Sequence, residues 1–434
     1  MLVRYTYDHR GRLSKSILGN GVTTAYLYDA AGRVELIDTT DAGGAAISSY
    51  AYRYDVNNRR TGLTSRDGVW DYAYDATGQL VRAVFTSTDP EIPSRDIEYV
   101  YDQVGNRVRE IAAGAEKGYT VNAMNQYRQA GSFTYSYDPD GNLTGKTNGV
   151  DSWSYEYNDD NRLIRSTGPD GITEYIYNGL GQLATVVENG VEKHFLVDPI
   201  GFGNVVGEYD DTGNLVSRYT HGLGLVAKDQ HFYTFDGNGN TSELTDPAGN
   251  IVNFYVYEPF GKILHEVEST DNAFRFVGQF GIMRMADDLL YMRNRFYMPS
   301  LGRFMAEDPI GLAGGDVSFY RYVQNNPVNR IDPWGLATVE NQTGGQLIGG
   351  SNDSGRHGQV IIPDGQDSGN MDIDSLDFDG DGIASRPNGW WDYFGPPIGN
   401  GEKIPGQKPN CPRIIVTKDQ CGNLETDYDW SGCF

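Results

Sequence analysis

Most of the residues here that could do chemistry are aspartates in tight turns. Five of them, Asp138, Asp198, Asp246, Asp308 and Asp332, head an Asp-Pro-x-Gly tetrapeptide. Alone, that tetrapeptide is a type I turn: Asp accepts from the backbone, Pro fixes φ and Gly closes. The last copy lies in NRIDPWGLATV (329–339), where a long repeating pattern stops and a tail that repeats nothing begins. Its position raises the question of whether Asp332 ends a scaffold or marks a place where the chain is cut.

The tail, 337–434, offers further candidates. In DFDGDG, Asp377, Asp379 and Asp381 alternate before Gly382, like positions 1, 3, 5 and 6 of a calcium loop. The twelfth position is Asn388 rather than Glu, and Ile383 falls one place early, so an acidic surface turn is the preferred reading and no metal is assigned. His357, the only histidine of the tail, sits in polar GRHG and reads as solvated. No Ser-His-Asp or H-x-E-x-C constellation accompanies it. Trp390-Trp391 reads as the nucleus of a small core rather than a ligand site. Cys411, Cys421 and Cys433 are either one disulfide with a spare thiol or three free thiols, and no C-x2-C pair suggests zinc.

The elements that must position these residues are set by a repeat. Tyr-x-Tyr-Asp-x-x-Gly, followed by Arg, Asn or Gln and an apolar residue, occurs as YTYDHRGRL (5–13), YLYDAAGRV (26–34), YAYDATGQL (72–80), YVYDQVGNRV (99–108) and YSYDPDGNL (135–143). Softer copies start at Tyr52, Tyr155, Tyr175, Tyr233 and Tyr255. Tyrosines two apart share a strand face. Asp-x-x-Gly fits a type I turn, so each copy is a hairpin tip and the apolar residue opens the returning strand. One hairpin is marginal in water, so successive hairpins must stack edge to edge. The expected fold is mainly β: a long, curved, antiparallel sheet with tyrosine ladders on one face.

These repeats resemble the YD repeats of Rhs proteins, of the C subunits of bacterial insecticidal toxin complexes, and of animal teneurins. The resemblance implies a spiral β-shell around a C-terminal segment, here an incomplete shell because the copies are few. Residues 274–336 are similar to the Rhs-associated core: FVGQ, LYMRNRFYMPSLGRF, DPIGLAGG, YRYVQNNP and DPWGL occur in order, with Phe296 where the first Tyr of R-Y-Y is common and Met298 where Asp is usual. The division implied is repeats 1–273, core 274–336 and variable cargo 337–434. In bacterial members the core is an aspartic autoprotease that cuts after the Leu of D-P-x-G-L. Carried onto this chain, the aspartates are Asp308 and Asp332, the bond is Leu336–Ala337, and Arg303 tunes the pair or holds the carbonyl. Two carboxylates held close cannot both ionise, so one serves as base toward water and the other as acid.

The resemblance also implies a toxin-like cargo, an immunity protein, a secretion machinery, and a further shell segment or chain. The competing reading is an extracellular, carbohydrate-binding or wall-associated β-scaffold without peptidase activity, its tyrosines stacking on sugars. The 434 residues carry a net charge of −24, and neither the repeats nor the tail has the basic footprint of a nucleic-acid binder. No apolar run is long enough to span a bilayer, the start MLVRYTYD is not a signal peptide, and no cofactor is called for. The chain therefore reads as a piece of a longer protein, secreted or at the cell surface by a non-classical route.

Overall fold

The computed structural model describes residues 2–200 and 203–336, together with the backbone of five short strands further on: Val339–Glu340, Ile383–Ser385, Trp391–Tyr393, Arg413–Lys418 and Leu424–Asp429. Twenty-six strands, from Val3–Tyr7 to Ile263–Glu268, pair antiparallel in strict chain order. This is the expected hairpin sheet.

Each tip is built the same way. At the first, Gly11 N–H donates to Asp8 O (3.0 Å) and Asp8 N–H to Arg12 O (2.8 Å), and Gly11 takes φ +78°. The register slips by one residue between Thr6 and Tyr7, which is a type I turn closed by a glycine bulge. Asp8 Oδ1 accepts from the N–H groups of Arg10 and Arg12, while Oδ2 accepts from the Arg12 guanidinium at 2.8 Å. Burial works upward on the Asp8 carboxyl, but these bonds prevail and hold it below the usual range. Tips at Asp41, Asn122, Asp210 and Asp246 use the same backbone pattern without a full Tyr-x-Tyr before them.

The two tyrosines of a unit do different work. The first, such as Tyr99, Tyr155 or Tyr175, is buried in the inner face. The second reaches back to the preceding unit. The hydroxyls of Tyr28, Tyr54, Tyr101, Tyr157 and Tyr177 donate to the carbonyls of Leu13, Val34, Leu80, Leu143 and Leu163 at 2.6–3.0 Å. Arginine tip residues stack on the same rings, with Arg12 4.2 Å from the centre of Tyr28 and Arg33 4.5 Å from that of Tyr54.

The sheet curls until its two ends face each other. Asn20 donates to Thr245 Oγ1 (3.0 Å), Gly237 N–H to the Tyr52 hydroxyl (2.7 Å), and Arg95 pairs with Glu258 (3.2 Å). It is not closed into a barrel: among the described strands, Val3–Tyr7 and Ile263–Glu268 do not pair. Val3–Tyr7 instead pairs with Leu424–Asp429, itself hairpinned to Arg413–Lys418. These two strands of the tail are described by their backbone alone. Cys411, Cys421, Cys433, Asp377, Asp379, Asp381 and His357 lie outside the described residues.

Residues 274–336 lie against the tyrosine face as short strands and 3-10 turns. Phe274, Met283, Met285, Leu289, Phe296 and Met305 share one core with Tyr119, Tyr127, Tyr155, Tyr175 and Tyr219. Among the described residues, no helix is long and apolar enough to cross a membrane.

Candidate functional site

The short strands Leu290–Met292 and Arg295–Met298 form a hairpin whose turn, Arg293-Asn294, faces the end of the 274–336 segment. Three consecutive residues there grip three consecutive carbonyls. Arg293 donates to Pro333 O, the Asn294 side chain to Trp334 O at 2.9 Å, and Arg295 Nε to Gly335 O. Gly335 takes φ +65°, and a Cβ on it would stand 2.5 Å from Met292 O, so glycine is required for this approach. Just beyond, Ile331 pairs with Val339 and Arg330 with Glu340, so residues 332–336 follow the first strand of a small hairpin. Leu336, the residue before the expected cut, is the last of these. Ala337 itself lies outside the described residues.

Arg295 also joins the two aspartates. Its Nη2 is 2.8 Å from Asp308 Oδ2 and 3.6 Å from Asp332 Oδ2, and all three side chains are at most 10% exposed. Nη1 donates to Phe319 O at 2.8 Å, and the guanidinium lies 3.6 Å over the Phe304 ring. Each nitrogen of that planar group therefore has a fixed acceptor. Burial pushes the Asp308 carboxyl above its usual value, against the pull of Arg295, and burial likewise lowers Arg295. Burial also takes the neighbouring Arg293 down to about 10.

Leu336, whose carbonyl belongs to the bond expected to break, lies between these groups. Leu336 N–H donates to Asp332 Oδ1 at 3.1 Å. A Cβ on Gly314 would stand 3.0 Å from Asp308 Oδ2 and 3.1 Å from Leu336 O, so the carbonyl and the second carboxylate border one small space. Asp332 thus holds the amide side of Leu336, and Asp308 lies on the carbonyl side.

Of the residues singled out in the sequence, Asp308 and Asp332 are brought to one guanidinium, and Arg303 is not. Arg303 donates to Asn106 Oδ1 and Asn125 O, both at 2.6 Å, and covers the Tyr127 ring, binding the core segment to two hairpin tips. The expected place beside the pair is taken by Arg295. Its signal was available: a charged residue inside the apolar run LYMRNRFYM needs a buried counter-ion. The Arg293-Asn294 grip carries no such signal, because its partners lie 40 residues away.

Comparison with known proteins places the chain. The family model RHS Repeat matches residues 7–46 and 157–191. The tRNA nuclease WapA of Bacillus subtilis (strain 168) is 31% identical over 354 residues, covering 76% of this chain and 14% of that protein. The double-stranded DNA deaminase toxin A of Burkholderia cenocepacia (strain H111) is 28% identical over 374 residues, covering 77% and 24%. This chain therefore spans no more than about a quarter of the length of either of these curated relatives. Among solved structures, the TcdB2-TccC3-Cdc42 crystal structure matches 77% of this chain and 21% of its own at 18% identity, with a TM-score of 0.42.

Proposed function

This chain is a member of the RHS-repeat family, and from that premise we propose that it is part of a toxin-delivery shell that frees its own C-terminal segment by one peptide-bond hydrolysis. The bond is Leu336–Ala337, the acid–base pair is Asp308 and Asp332, and residues 337–434 are the cargo. The single observation that carries this reading is the hold on Leu336: its N–H rests on Asp332, and its carbonyl shares a space with Asp308. The three carbonyl bonds from residues 293–295 fix the register, so a reacting water would meet one bond and no other. A reaction that occurs once per chain needs no turnover.

The resting pair is held by a cation rather than by a shared proton. Burial of Asp308 favours its protonated form, so this carboxyl suits the acid and Asp332 the base. Export to the cell exterior, a neutralising immunity partner and further shell-forming chain belong to the same proposal. The scaffold reading, with tyrosines stacking on sugars, has less support, because the first tyrosine of most units is buried in the inner face.

The test is the full chain on a denaturing gel, with the new N-terminus read by mass spectrometry. The expected result is two fragments starting at Met1 and Ala337. A single intact wild-type band, matching that of Asp332→Asn, overturns the reading.

A further inference from the structure

The space between Asp308 and Leu336 O continues into a small cavity lined chiefly by Arg295, Asp308, Gly314, Asp316, Ser318 and Leu336, with room for about one water. Most polar atoms around it are committed. Asp316 is held by both Nε and Nη2 of Arg321 at 2.6 Å. Asp308 Oδ1 accepts from Ile310 N–H (3.0 Å), its Oδ2 faces Arg295, and Asp332 Oδ1 accepts from Leu336 N–H. Ser318 is different. Its residue is 1% exposed and its N–H is fixed to Asp316 Oδ1 at 2.9 Å, yet its Oγ has no hydrogen-bond partner among the described residues.

A buried hydroxyl without a partner costs roughly 1–3 kcal/mol. A buried water with two or more polar neighbours removes that cost. Here the neighbours are the hydroxyl and the carboxylates of the pair. We propose that Ser318 Oγ holds the water that attacks Leu336, making Ser318 the water-positioning residue of the self-cleavage; the inference rests on the reading above.

The step balances. The water oxygen bonds to the Leu336 carbonyl carbon while its proton passes to the ionised carboxylate of the pair. The bond from that carbon to Ala337 nitrogen then breaks, and the protonated carboxyl gives its proton to the departing amine. Ser318 is neither consumed nor ionised; it accepts from or donates to the water and fixes its approach. A hydroxyl suits this task better than a third carboxylate, since it adds no charge beside Asp308.

The experiment follows fragment formation with time in the full-length chain, comparing wild type, Ser318→Ala and Ser318→Gly, with thermal midpoints measured for each in an Asp332→Asn background. Alanine removes only the oxygen and leaves a gap of about one atom beside an apolar methyl, whereas glycine removes the Cβ as well and leaves room for a second water to replace the hydroxyl. Cleavage should slow at least about tenfold in Ser318→Ala, the size of one lost hydrogen bond in the transition state, and recover in Ser318→Gly. A wild-type chain that stays intact overturns both this inference and the reading beneath it. A wild-type chain that is cut, with Ser318→Ala cut equally fast, overturns the water site alone. Equal slowing of both variants, with lowered midpoints in both, assigns Ser318 a structural role and also overturns it.

Discussion

Asp138 and Asp332 open the same tetrapeptide in two regions of the molecule, the hairpin sheet and the segment packed against it. Their first bonds match: Asp138 Oδ1 accepts from the N–H of Asn142 and Asp332 Oδ1 from that of Leu336, each four residues on. They part at the second oxygen. In the sheet, Asn142 returns its side-chain amide to Asp138 Oδ2 at 3.0 Å and also reaches Asn161 of the next tip. Asp246 is satisfied likewise by Asn250. At 336 the fifth residue is Leu, which has nothing to donate, so Asp332 Oδ2 is left to face Arg295. Asp308, followed by Leu312, shares that arginine. The difference between a turn and a candidate acid–base group is thus one side chain at the fifth position plus an arginine that only the core segment supplies.

That contrast can be broken most sharply by exchanging the aspartates. Asp308→Asn and Asp332→Asn should each abolish fragment formation, a loss of about a thousandfold or more. Asp138→Asn and Asp246→Asn should cut normally; slow cleavage in these two would mean the tips are not mere turns. Next in size is Arg295→Met, measured by thermal denaturation in the Asp332→Asn background. It leaves Asp308 buried without its cation, and the expected cost is on the order of 3 kcal/mol near neutral pH. The sign with pH follows from Asp308, whose carboxyl burial already raises: protonation relieves the uncompensated charge, so the deficit should shrink as pH falls toward the carboxylate range and widen as it rises. A pH-independent deficit would show that the guanidinium matters through packing on Phe304 instead.

A smaller change tests the fifth position. Leu336→Asn gives Asp332 the amide that a sheet tip would have, so Oδ2 should be engaged and cleavage should slow about tenfold with the turn intact. An unchanged rate would separate the fifth residue from the function of the pair. The smallest effect belongs to the sheet. Tyr28→Phe removes the bond to Leu13 O between two units, and urea denaturation should show a loss of about 1 kcal/mol with no effect on cleavage.

Much of the sheet was legible because its determinants are close in sequence. Asp8, Gly11, Arg12 and Leu13 settle a turn, a bulge and a returning strand within six residues, and the tyrosine spacing assigns a face. Tips such as Asn122 were harder to read, since VNAMNQY keeps the backbone pattern but replaces both Asp and Gly. In the core segment the two aspartates were legible only as members of a longer motif. Only Arg303 was singled out from that motif; the apolar run around Arg295 signals a buried counter-ion without saying which one, and only packing turns Arg303 toward Asn106 and Asn125 instead.

The sequence by itself determined the hairpins, their inward tyrosines and the place where the pattern ends, since each depends on neighbours a few residues apart. The tertiary structure alone decided that Arg295 lies between Asp308 and Asp332, that residues 293–295 grip 333–335, and that Ser318 and Leu336 line one cavity. Those contacts join short segments separated by 13 to 40 residues with no regular spacing. They exist only once the core segment has been packed against the curled sheet.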